Sequence, residues 1–171
     1  MGWFKRSKKG VTTETTQKKE IPEGLWYKCP KCKTIITSED HHSQKYVCEN
    51  CNHHHRINAK EYFEILFDKN IFTELDSKMT SKDPLNFEDT KKYKERLKQT
   101  QEKTGLKDAV TTAYGTINKH NVVIACFNFN FIGGSMGSVV GEKIARSIDY
   151  ARKNKYPLII ISKSGGARMM E

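Results

Sequence analysis

"NVVIACFNFNFIGGSMGSVVGEKIARSIDYARKNKYPLIII", residues 121–161, decides the fold. Its first twelve residues are rich in β-branched and aromatic side chains, the composition of a strand. The glycines of "GGSMG" (133–137) end that strand. A helix is then predicted over about 138–154, with Val140, Ile144, Ile148 and Ala151 along one face. Pro157 precedes "LIII", a continuous apolar run that suits a strand buried on both faces. Strand, helix and parallel strand make a βαβ crossover, so this part of the chain reads as α/β.

Working outward, "DAVTTAYGTI" (108–117) predicts a preceding strand, joined to the next by a short turn at 118–121. Two helices are predicted upstream. One runs over about 58–68, capped by Asn58, with Tyr62, Ile65 and Leu66 on one face. The other, at about 89–103, is strongly basic and ends before Gly105. The expected organisation is a basic flexible tail over 1–24, a small cysteine-rich ribbon over 25–56, a helical connecting segment over 57–107 and an α/β domain over 108–171.

The 171 residues suffice for one domain plus a small module, and the net charge of +10 suggests an anionic partner. A solvated lysine-rich surface accounts for the same charge. No apolar run approaches membrane-spanning length. The start, "MGWFKRSKKG", has charge but no apolar core, and Arg6 stands where a myristoylation signal wants Ser or Thr. A cytoplasmic protein is expected.

Residues 25–56 hold four of the five cysteines and five of the six histidines. Cys29-Pro-Lys-Cys32 and Cys48-Glu-Asn-Cys51 are separated by fifteen residues. Two such knuckles bring four thiolates into one tetrahedron, the geometry of a structural zinc site. "TIIT" and "KYV" supply short strands between them. Disulfides do not suit a cytoplasmic chain, and a thioredoxin-like pair needs one CxxC at a βαβ unit. A catalytic zinc keeps an open position, which four sulfurs deny it. An iron–sulfur cluster is the remaining alternative. His41, His42 and His53 to His55 are expected at the surface, and Cys126 as a small buried side chain. Lys28, Lys31, Lys33, Lys45 and Arg56 give the ribbon a basic face, so nucleic acid is a candidate partner beside a docking role.

Two glycine turns each follow a predicted strand. "IGGSMGSVVGEK" lacks the Gly-Lys step of a P-loop because Glu142 intervenes, and no G-x-G-x-x-G occurs. In "SKSGGARM" (162–169), Gly165 and Gly166 are read as opening a helix, where unsatisfied amides form a backbone oxyanion hole. Arg168 adds fixed charge nearby.

These pieces together carry a resemblance. "YKCPKC…VCENC", "MTSKDPLNF", "TGLKDAV", "FIGGSMGSVVGEKIAR" and "SGGARM", in this order from about residue 25, resemble the bacterial acetyl-CoA carboxylase carboxyltransferase beta subunits. Met170 stands where many members have Gln. The resemblance implies a crotonase-type α/β fold, a β-β-α superhelix incomplete here, with the ribbon as an N-terminal cap. It implies transfer of a carboxyl group from carboxybiotin, carried on a biotin carboxyl carrier protein, to acetyl-CoA. The product is malonyl-CoA, in the first committed step of fatty-acid synthesis. The implied partners are an alpha subunit, in an assembly of two alpha and two beta, and a biotin carboxylase that consumes the ATP. Gly165 and Gly166 would stabilise the enolate. Gly133, Gly134 and Gly137 would shape the acyl-CoA pocket, and Lys143 and Arg168 would face CoA phosphates. Because the family's subunit continues through further β-β-α turns, the chain reads as a fragment, expected to be inactive even with the alpha subunit. The alternative from another class is a zinc-ribbon module that binds nucleic acid and regulates expression.

Overall fold

The computed structural model describes residues 24–171; Gly2 and all of the expected tail except Gly24 lie outside the described residues. The chain forms two compact units, one ending at His55 and one spanning Arg56–Glu171. Among the described residues, no helix is long and apolar enough to cross a membrane.

In the first unit, β1 (Trp26–Lys28) pairs antiparallel with β2 (Ile35–Thr37), Trp26 opposite Thr37 and Lys28 opposite Ile35. Helix α1 (Ser38–Ser43) follows directly, because the Thr37 hydroxyl accepts a hydrogen bond from the Asp40 amide and caps its first turn. The strand expected at "KYV" reduces to a single bridge between Val47 and His54. His41 corrects the expectation of surface histidines: it is buried, with its ring stacked on Tyr27 at a centroid separation of 3.6 Å. In a unit this small the imidazole serves as core.

The second unit is a four-stranded sheet in the order β3 (Phe72–Leu75), β4 (Val110–Ile117), β5 (His120–Phe127), β6 (Leu158–Ile161). The first three strands are antiparallel and β6 joins β5 in parallel, with Val123 opposite Leu158. β4 and β5 form a hairpin whose two turn residues, Asn118 and Lys119, both have positive φ, the twist a tight hairpin requires. The Asp68 carboxylate accepts both turn amides, at 2.9 and 2.8 Å.

Alternation along β5 divides its side chains between two cores. Val122, Ile124 and Cys126 meet α2 (Ala59–Leu66), whose Phe63, with Phe67 just after the helix, packs with Phe72. Ala125 and Phe127 face the other way, toward Tyr93 and Leu97 of α3 (Tyr93–Thr104) and Val140 of α4 (Ser138–Asn154). Cys126 is fully buried, as a small core side chain.

Four differences from the sequence reading have physical causes. The segment 57–107 is not purely helical, because "FTEL" finds hydrogen-bond partners on the β4 edge and becomes β3. α3 begins at Tyr93 rather than near Asp89, whose carboxylate accepts the Lys91 amide and the Arg96 guanidinium and holds a turn in place of helix. β6 has one neighbour, so Ile159 and Ile160 are exposed and the strand is not buried on both faces. On α4 the buried positions include Lys143 and Ser147, whereas Ile148 faces outward.

Candidate metal centre and active site

The two cysteine knuckles have the same backbone form. The Lys33 amide donates to the Cys29 carbonyl at 3.0 Å and the Asn52 amide to that of Cys48 at 2.8 Å. Lys33 and Asn52 both take positive φ, which turns the chain sharply after each CxxC. The four sulfurs lie within 4.8 Å of one another, Cys29 to Cys51 at 3.7 Å and Cys32 to Cys48 at 3.6 Å. A tetrahedron of zinc–sulfur bonds of about 2.3 Å has edges of about 3.8 Å. The cluster fits a single zinc ion held by Cys29, Cys32, Cys48 and Cys51. The Thr34 hydroxyl holds the Cys32 thiol down to about 5, while burial pushes Cys51 up to about 12. Sulfurs so close share negative charge only around a cation.

The second feature lies at the carboxyl ends of β5 and β6. Because these strands are parallel neighbours, the turns that follow them, 131–137 and 162–168, meet. The Gly165 amide donates to the Gly133 carbonyl at 2.9 Å, the Met136 amide to Gly166 and the Arg168 amide to Met136, each at 2.8 Å. Gly134 has φ of +69°, and a Cβ there would stand 2.2 Å from the Lys163 carbonyl oxygen. Only glycine allows that approach. The expected helix after Gly166 does not form. Ala167 bridges Met136 instead, and residues 168–171 close a single turn.

Arg168 does not face outward toward phosphates. Its guanidinium is fully buried and forms a bidentate pair with Asp108, at 2.8 and 3.2 Å. It also donates to the Ser135 carbonyl and hydroxyl, to the Tyr93 hydroxyl and to Glu171. Such a fork saturates its donors and fastens the two glycine turns to α3 and to the start of β4. Lys143 is likewise buried, its ammonium 3.4 Å from the Val110 carbonyl. Burial depresses its pKa, against the pull of Glu74, Asp108 and Asp76. It lines a cavity of about 550 Å³ together with Glu74, Asp108 and Asn128.

Gly137 caps α4, but the anion at that helix start is the chain's own Glu171, which accepts the Ser138 amide at 2.6 Å and the Ser138 hydroxyl. A Cβ on Gly137 would stand 2.5 Å from that carboxylate. Burial alone would raise the Glu171 pKa; hydrogen bonds from Ser138 and Tyr93 outweigh it and bring the group down to about 2. A depressed carboxylate stabilises the fold above its ordinary range, and that stability is lost as pH falls through the native value. Acid titration of stability should therefore decline from about pH 5 toward pH 2, and Glu171→Gln should flatten that decline.

Of the two amides read as oxyanion donors, Gly165 is engaged by the Gly133 carbonyl and Gly166 by the Ser164 hydroxyl at 3.0 Å. Displacing a hydroxyl takes one side-chain rotation; displacing the carbonyl takes a backbone shift. Beside Ser164 opens a pocket of about 240 Å³, lined by Arg56, Ile57, Phe129, Asn130, Lys163 and Ser164. The sequence reading missed Asp108, Tyr93, Ser135 and Glu171 around Arg168, and Lys163 and Phe129 here. Only the strand-end position of "SKS" hinted at the latter.

Comparison with known proteins agrees with this architecture. The carboxyl transferase domain matches residues 56–171. The chain belongs to the carboxyl transferase family. Over all 171 residues it is 62% identical to a Pedobacter heparinus protein and 61% identical to one from Christiangramia forsetii. Both are named acetyl-coenzyme A carboxylase carboxyl transferase subunit beta. The chain spans 61% and 60% of their respective lengths. Among solved structures it resembles transcarboxylase 12S with hydrolysed methylmalonyl-coenzyme A bound, with a TM-score of 0.55 and 25% identity. That match covers 78% of this chain and 22% of the other. The fold is crotonase-like, of which β4, β5 and α4 form one β-β-α unit. The family match leaves the ribbon-only alternative without support, because it assigns residues 56–171 to an enzyme domain.

Proposed function

We propose that the chain serves as the beta-type subunit of an acetyl-CoA carboxylase carboxyltransferase in the cytoplasm, forming malonyl-CoA for fatty-acid synthesis. The observation that carries this reading is identity above 60%, over an alignment of all 171 residues, to proteins of that name. Its partners are then an alpha subunit that completes the site, a biotin carboxyl carrier protein and a biotin carboxylase.

Carboxybiotin, brought by the carrier, would supply the carboxyl group and a nitrogen base for the thioester methyl proton. The task left to this chain is to hold the negative charge that moves onto the thioester oxygen as the methyl carbon becomes nucleophilic. The Gly166 amide suits that task once Ser164 rotates away, and one such donor lowers the barrier by about 3 kcal/mol. Gly165 joins it if its bond to Gly133 opens. Gly133 and Gly134 shape the floor beneath the acyl group. Among the described residues no histidine lies in either turn, which fits proton transfer to the cofactor rather than to a side chain. The four cysteines hold zinc in a structural role, since four sulfurs leave the ion no open position.

The test is malonyl-CoA formation from acetyl-CoA and carboxylated carrier, by the full reading frame that carries these residues with its alpha partner. Product formation is expected. No product, under conditions where the Pedobacter relative turns over, sinks the reading.

A further inference from the structure

Two cations share the 240 Å³ pocket beside Ser164 without a carboxylate to neutralise them. The Arg56 guanidinium carbon lies over the Phe129 ring, 4.5 Å from its centroid. The Lys163 ammonium sits 4.6 Å from the centre of the Tyr62 ring and donates to the Ile57 carbonyl. Among the described residues, neither forms an ion pair. Burial depresses the Lys163 pKa, Cys126 and Glu61 pull it back up, and Arg56 adds a smaller depression; Glu61, which accepts the Asn58 amide at 2.8 Å, does not line the pocket. Aromatic faces and a carbonyl position both side chains while leaving most of their donors unused.

Holding like charges together in one partly enclosed pocket costs energy that an anion repays. The donors come in kinds that match a multi-oxygen anion: a planar fork, an ammonium and the Ser164 hydroxyl. The place is also telling. Ser164 is the residue whose hydroxyl covers the Gly166 amide, so whatever enters the pocket competes for that hydroxyl and helps release the amide.

Resting on the function proposed above, we propose that Arg56, Lys163 and Ser164 form an oxyanion-binding subsite for the acyl-CoA substrate. The oxyanion is a phosphate of CoA or the carboxylate of the malonyl thioester product, and these are separable. Binding is measured without turnover, on the full reading frame with its alpha partner, for CoA, pantetheine, acetyl-CoA and malonyl-CoA. Arg56→Gln and Lys163→Gln are compared with wild type, with Lys163→Arg as the rescue variant.

If the pocket takes phosphate, the variants lose about ten- to a hundredfold of the wild type's preference for CoA over pantetheine, and Lys163→Arg keeps it. If it takes carboxylate, the preference for malonyl-CoA over acetyl-CoA collapses instead. Variants that retain both preferences, or lose affinity equally for all four compounds, overturn the subsite. A wild type that binds CoA with preferences untouched by the variants refutes the pocket alone. A wild type that binds none of the four refutes the functional reading beneath it.

Discussion

Asp108→Ala should destabilise the Arg56–Glu171 unit by about 3–5 kcal/mol, the usual consequence of stranding one member of a buried ion pair. Both side chains are fully buried, so no water can solvate the guanidinium left behind. Ser135, Tyr93 and Glu171 remain as partners, and among the described residues Glu171 carries the only other charge on the fork. Urea denaturation measures the loss. The control is Asp108→Leu combined with Arg168→Met, which removes both charges and keeps apolar volume. It should recover most of the stability, because a well-packed apolar replacement avoids the desolvation cost. Recovery of stability without recovery of turnover would show that the fork also sets the relation of the two glycine turns. A single-variant loss below about 1 kcal/mol, the range of exposed pairs, would contradict the buried assignment.

The same fork explains what the sequence could and could not disclose. The α4 boundaries at Ser138 and Asn154 were readable because the apolar period, the glycine turn before and the Pro157 break after all act locally. The β4–β5 hairpin was readable for the same reason. The cysteine cluster was the most legible site, since each knuckle encodes its own geometry within four residues. Arg168 and Lys143 were misread as outward-facing cations because burial of a charge depends on partners distant in sequence. Asp108 lies 60 residues from Arg168, and Val110 33 residues from Lys143. Nothing within a window around either residue announces those contacts. β3 was missed because its exposure pattern has no clean period of two, so only the waiting edge of β4 makes it a strand.

Removal of the metal should have the most severe local effect. Cys48→Ser combined with Cys51→Ser should take zinc from one ion per chain to none, by metal analysis of the purified protein. In the described part of the ribbon unit, the buried side chains are Cys29, Cys48 and His41. A core of two ligands and one stacked imidazole cannot repay the chain entropy of about thirty ordered residues. The folding energy must come from the metal, whose binding in small four-ligand sites is worth about 10–16 kcal/mol at neutral pH. The variant, or wild type treated with a strong chelator, should lose the β1–β2 pairing and the Tyr27–His41 stack. The Arg56–Glu171 unit should keep its cooperative unfolding, because both of its cores lie within its own residues. Hydrogen exchange distinguishes the two: rapid exchange confined to the ribbon is expected. Iron in place of zinc in the native protein would defeat the assignment of the ion. A ribbon that keeps its protection without metal would defeat the claim that the ion folds it.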